Sequence, residues 1–74
     1  MAHLEIESEV SGNVWKIEAQ IGDQLEQDDV IMILESMKME IPVEATEAGK
    51  LVEIKVAVDD QVVEDQVVAV IEPT

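Results

Sequence analysis

A lysine becomes a nucleophile once its ammonium gives up a proton, and Lys38 is placed as if that amine were meant to be reached. It stands almost at the midpoint of the 74-residue chain, in the run Glu35-Ser36-Met37-Lys38-Met39-Glu40. An apolar stretch, Val30 to Leu34, precedes this run, and a second apolar stretch opens at Ile41. Methionine brings flexible, polarizable apolar surface, whereas turns are normally built from Gly, Asn, Asp or Pro. A bare Met-Lys-Met reads as a solvated lysine between two half-buried methionines, and only its surroundings can change that reading. The other reactive side chains are few. The single histidine, His3, lies at a terminus and reads as an inert tail residue, and the chain has no cysteine or tyrosine. Carboxylates are plentiful, but nothing singles out one acid–base pair, so no catalytic residue and no metal-ligand set is expected.

The elements that must position Lys38 are short. Leu4-Glu5-Ile6-Glu7 alternates apolar and charged residues, as a half-buried strand does. Ser11-Gly12 is a turn signal, and Asn13 to Ala19 carries the strand formers Val14, Trp15 and Ile17. Gly22-Asp23 is the next punctuation, then Leu25 and an acidic turn through Asp28-Asp29. Val30 to Leu34 is short, continuous and β-branched, which favours a buried strand over a helix at that length. Pro42 falls in the fifth strand, which must then lie near a sheet edge or keep Pro42 out of the pairing. Trp15, the only aromatic residue, reads as packing material and not as a ligand platform.

After the Lys38 turn the pattern repeats. A shift of 37 positions, from Gly12 to Gly49, aligns the two halves without a gap. Val14 falls on Leu51, Ile17 on Ile54, Asp23-Gln24 on Asp60-Gln61, and Val30–Leu34 on Val67–Ile71. Apolar positions and turn residues recur together, the signature of an internal repeat. The halves, about 4–37 and 39–74, cannot each bury an apolar face alone. The expected fold is therefore all-β, with residues 1–74 forming one domain. Two four-stranded antiparallel sheets pack face to face as a flattened barrel or sandwich with a pseudo-two-fold repeat. In such an object Lys38 falls at the tip of the central hairpin, at one extreme end.

Composition narrows the function. With 18 acids against four lysines the net charge is −14, so binding to nucleic-acid phosphates is excluded by repulsion. A lone aromatic argues against base stacking as well. No apolar stretch approaches the length that spans a membrane, and no leader-like start is apparent. The chain reads as soluble and cytoplasmic, with an acidity that serves either solubility or steering toward basic partner surfaces.

The hexapeptide around Lys38, the repeat and the glycine-aspartate turn together resemble the biotinyl/lipoyl carrier domains, more closely the biotin carboxyl carrier type. The resemblance covers essentially the whole chain, and its most specific element is Ser36-Met37-Lys38-Met39 at the repeat midpoint. It implies that a biotin protein ligase joins biotin to the Lys38 amine. The domain would then carry a carboxyl group from a biotin carboxylase to a carboxyltransferase acting on an acyl-CoA or a related acceptor. Glu35, Ser36, Met37, Met39 and Glu40 would form the attachment motif read by the ligase. Gly12, Gly22, Asp23, Gly49 and Asp60 would be structural turn residues, and the chain itself would be a non-catalytic component. Lipoyl domains usually place Asp before and Ala after the lysine, so lipoate is the lesser alternative. An unmodified acidic interaction module of the same fold is another. Two departures stand out: Ser36 occupies a position where alanine is common, and Asp59 replaces the second-copy glycine, with a slightly strained turn expected. No insertion could form the extra thumb of some bacterial carriers. The chain therefore looks like the short stand-alone attachment proteins, or a carrier domain excised from a longer carboxylase subunit.

Overall fold

Eight strands make up the computed structural model, which describes residues 3–74. They are β1 (Leu4–Glu7), β2 (Gly12–Ile17), β3 (Gln24–Leu25), β4 (Val30–Ser36), β5 (Met39–Glu44), β6 (Gly49–Ile54), β7 (Gln61–Val62) and β8 (Val67–Pro73). They form two four-stranded sheets ordered β1-β8-β6-β3 and β5-β4-β2-β7, and every pairing is antiparallel. The fold is the expected all-β pair of four-stranded sheets. The 37-residue shift carries β2 onto β6, β3 onto β7, β4 onto β8 and β1 onto β5, and so carries one sheet onto the other. Each sheet contains strands from both halves. The halves are therefore interleaved, and neither can complete a sheet without the other.

The core records the same symmetry residue by residue. Val14 and Leu51 are buried counterparts, as are Ile31 and Val68, Met32 and Ala69, and Leu34 and Ile71. Ile6 matches Val43, Ala19 matches Val56, and Leu25 matches Val62. The one buried residue with a polar counterpart is Ala45, which falls on Ser8. Ser8 keeps its hydroxyl satisfied by donating to the Val10 carbonyl at 2.5 Å, as a buried polar group must. Counterparts trade volume, Met32 against Ala69 for example, because shared interior space must be filled once and not twice.

The loops are pinned across the halves. The Gly22 amide donates to the Leu51 carbonyl at 2.7 Å, and the Asp59 amide donates to the Val14 carbonyl at 2.8 Å. The Asp23 carboxylate accepts from the Gln20 amide and the Asp60 carboxylate from the Ala57 amide, both at 2.9 Å. These are side-chain-closed turns of the kind Asp favours. Gly22 has a φ of 100° and Asp59 one of 76°, so the strained second-copy turn is present as expected. Asp28 and Asp65, another counterpart pair, also have positive φ.

Three expectations need correction. Gly12 and Gly49 are not turn residues but the first residues of β2 and β6. Glycine is needed at position 12 for close approach, because a Cβ there would lie 2.6 Å from the Glu35 carbonyl oxygen. Gly49 is pressed in the same way against Ile71 and the Glu72 carbonyl. Trp15 is not core material: it sits 47% exposed at an irregularity where β2 shifts register against β4 between Val14 and Lys16. With Val14 buried, strand alternation puts Trp15 on the outer face, and the slip sets exposed Lys16 beside it before Ile17 turns back toward the core. Pro42 does lie on an edge strand, β5, with its missing donor facing away from β4.

Candidate functional site

The β4–β5 hairpin is built from its strands outward. Leu34 pairs with Ile41, Glu35 with Glu40 and Ser36 with Met39, and Ser36–Met39 is the last rung of the sheet. Only Met37 and Lys38 remain to turn the chain, with φ values of 52° and 66°. Two successive left-handed residues define a type I′ hairpin, whose twist matches that of the strands it joins. Asn-Gly is the usual choice there. Holding two side-chain-bearing residues in that region costs on the order of 1–2 kcal/mol each, a cost carried by the paired strands beneath. The backbone therefore sets the direction of the tip.

The tip is solvent-facing. Met37 is 92% exposed and Met39 is 64% exposed, so the two methionines are not half-buried packing residues. Lys38 is exposed between them, and among the described residues the ion pairs lie elsewhere: Lys16 with Glu18, Lys55 with Glu53, and His3 with Glu72. Two large apolar side chains held in water beside a free amine are a cost without a structural return. Ile21, Val58 and Val63 are exposed as well, so what sets the two methionines apart is their place on either side of Lys38. Beneath the tip, Glu35 and Glu40 face one another across the ladder, both exposed. Like charges directly opposite are mildly destabilising, so this rung adds nothing to the stability of the hairpin.

Support comes from β2. Gly12 lets that strand approach Glu35 and Ser36 closely, and Asn13 pairs with Glu35. The hairpin thus stands on a two-strand footing. The structure brings Glu35, Ser36, Met37, Lys38, Met39 and Glu40 together as one tip. It places Gly22, Asp23, Asp60 and Gly49 away from the tip as framework, and His3 beside Glu72 on β8. The supporting role of Gly12 was missed in the sequence. Its signal is the recurrence of that glycine as Gly49 at the same place in the second half, ahead of the equivalent apolar positions. Chemically, the arrangement offers one reachable amine on a fixed stalk and no partnered acid or base beside it.

Comparison with known proteins adds the last observation. The model of the family described as "Biotin-requiring enzyme" matches residues 4–71. The biotin/lipoyl attachment protein of Bacillus subtilis is 45% identical over 42 residues, which are 57% of this chain and 58% of that protein. A putative urea carboxylase of Emericella nidulans is 52% identical over 40 residues, 54% of this chain but 3% of that much longer protein. The crystal structure of the Kluyveromyces lactis urea carboxylase superposes with a TM-score of 0.93 at 38% identity, covering 97% of this chain and 6% of that one.

Proposed function

The chain belongs to the biotin-requiring enzyme family of attachment domains, and from that premise we propose that it is a biotin carboxyl carrier whose attachment point is Lys38. The observation that carries this reading is the exposed Lys38 on a two-residue type I′ turn between two exposed methionines. A modifying enzyme must reach the amine without disturbing the fold, and the last rung of a sheet meets that need.

Lys38 Nζ, as a neutral amine, attacks the acyl carbon of biotinyl-adenylate bound in a biotin protein ligase. The N–C bond forms, AMP leaves with the former acyl oxygen link, and the amine's proton passes to the ligase or solvent. Once attached, biotin supplies a ring nitrogen that takes up a carboxyl group at a biotin carboxylase and gives it up at a carboxyltransferase. The protein's share is placement: Met37 and Met39 present apolar surface beside the amine, Gly12 steadies β4, and the strands keep the arm clear of the barrel. Tethering raises the effective concentration of the carried group at the second site. The acceptor is an acyl-CoA or a related small molecule; the 38% identical neighbour is a urea carboxylase, which adds urea to that class. The chain acts as a non-catalytic component in the cytoplasm.

Met-Lys-Met in place of Asp-Lys-Ala favours biotin over lipoate. The test supplies the chain with biotin and a biotin ligase in one sample, and with lipoate and a lipoate ligase in another. Labelling in the first and not the second is expected. Labelling by lipoate alone would overturn the reading.

A further inference from the structure

The four sheet edges are not equivalent. The edge strands β3 and β7 are two residues long, too short to template another strand. On β5, Pro42 removes a backbone donor. That leaves β1, an edge of four residues whose N–H and C=O groups are paired, among the described residues, only toward β8. An open edge of this kind accepts a further strand.

A groove runs along this edge. It has a volume of about 590 Å³ and lies between β1 and β5, the two edge strands that the repeat exchanges. Its walls include apolar Val10, Leu34 and Ile41, and its acids are Glu5, Glu7, Glu9, Asp28 and Glu44. No lysine lines it. Glu5, Glu7 and Glu9 recur with a period of two and are all exposed, while Ile6 between them is buried. A strand added beside β1 would set alternate side chains opposite Glu5 and Glu7, and the intervening ones toward the apolar wall.

We propose that the β1 edge and its groove dock an extended segment of a partner protein in which lysine or arginine alternates with apolar residues. The cations face Glu5 and Glu7 on the strand, with Glu9 in the bend beyond it adding negative charge, and the apolar side chains enter the groove. Backbone bonds to β1 supply affinity and the alternation supplies specificity, the logic of strand addition. The same carboxylates repel a second copy of this chain, whose β1 edge carries the same charges. The groove begins at Ile41, two residues beyond Met39, and continues toward Thr46. A partner held there leaves Met37 and Lys38 uncovered. The inference does not depend on what is attached to Lys38.

The test uses the full chain and a fluorescent peptide alternating lysine and valine. Binding is read by anisotropy and mapped by backbone amide shifts. Three proteins are compared: wild type, Glu5→Gln/Glu7→Gln/Glu9→Gln, and Glu18→Gln/Glu53→Gln/Glu64→Gln, which removes the same charge elsewhere. The inference expects amide shifts confined to β1, β5 and the groove, and about tenfold weaker binding in the first triple variant only. A peptide of the same composition with its lysines in one block should bind as weakly as that variant. N-methylation of alternate peptide amides should abolish binding. Equal weakening in both triple variants would reduce the effect to bulk charge and overturn the inference. Shifts centred elsewhere, or a dimer of this chain through β1, would do the same. Biotin labelling of the three proteins, measured in parallel, separates this outcome from the fate of the carrier reading, because no groove residue belongs to the hairpin tip.

Discussion

At the scale of single residues, the hairpin tip is where stability and use part company. Met37 and Lys38 occupy left-handed backbone that glycine or asparagine would hold more cheaply, and the Glu35–Glu40 rung sets like charges opposite one another. If these acids help the domain dock on a basic ligase surface, Glu40→Lys should slow biotin labelling while stability stays the same or rises slightly. An unchanged labelling rate would remove that role. The framework turns offer a paired test of backbone strain. Asp59 holds a φ of 76°, and its counterpart Gly22 holds 100° with open space around it. Asp59→Gly should stabilise by roughly 1 kcal/mol or less, and Gly22→Ala should destabilise by about 1 kcal/mol. Urea unfolding measures both; the same sign for the two would contradict the assignment.

At the scale of elements, β2 is both a core strand and the footing of the hairpin. A methyl group at position 12 must displace the Glu35 carbonyl from 2.6 Å. Gly12→Ala should therefore cost about 1–3 kcal/mol and loosen the tip, seen as lower hydrogen-exchange protection at Ser36 and Met39. Protection unchanged from wild type would mean that β2 does not steady the tip. Core truncation acts differently: Leu51→Ala should cost about 2–5 kcal/mol without altering how readily the folded domain is labelled. Most of the element level was legible in the sequence, because apolar alternation and turn residues recur at a fixed shift and Pro42 marks its own edge. What was not legible depends on the distance between strands. Whether a glycine serves a turn or a close approach depends on what lies across the sheet, and only the register reveals Glu35 above Gly12. Val14 and Trp15 are adjacent on one strand and cannot both face inward, and which of them is buried depends on the space between the sheets. The interleaving of the halves is also a property of pairing, invisible to a one-dimensional alignment.

At the scale of the whole molecule, two features set behaviour. A net charge of −14 is spread over a body measuring 36 × 18 × 17 Å. Raising ionic strength from about 0.01 M to about 0.1 M shortens the screening length from roughly 30 Å to roughly 10 Å, well inside the long dimension. Self-repulsion should fall and the melting temperature rise; a lower melting temperature would show that attractive pairs dominate instead. The second feature is the exposed tip itself, on a barrel whose interleaved halves leave one reachable stalk for Lys38. Intact mass tests that claim most directly, taken after incubation with a biotin protein ligase, ATP and biotin, for wild type and for Lys38→Arg, which keeps the charge. The account expects one biotinyl group added to wild type and none to the variant. A second addition on wild type, labelling that survives Lys38→Arg, or no labelling of wild type would contradict it.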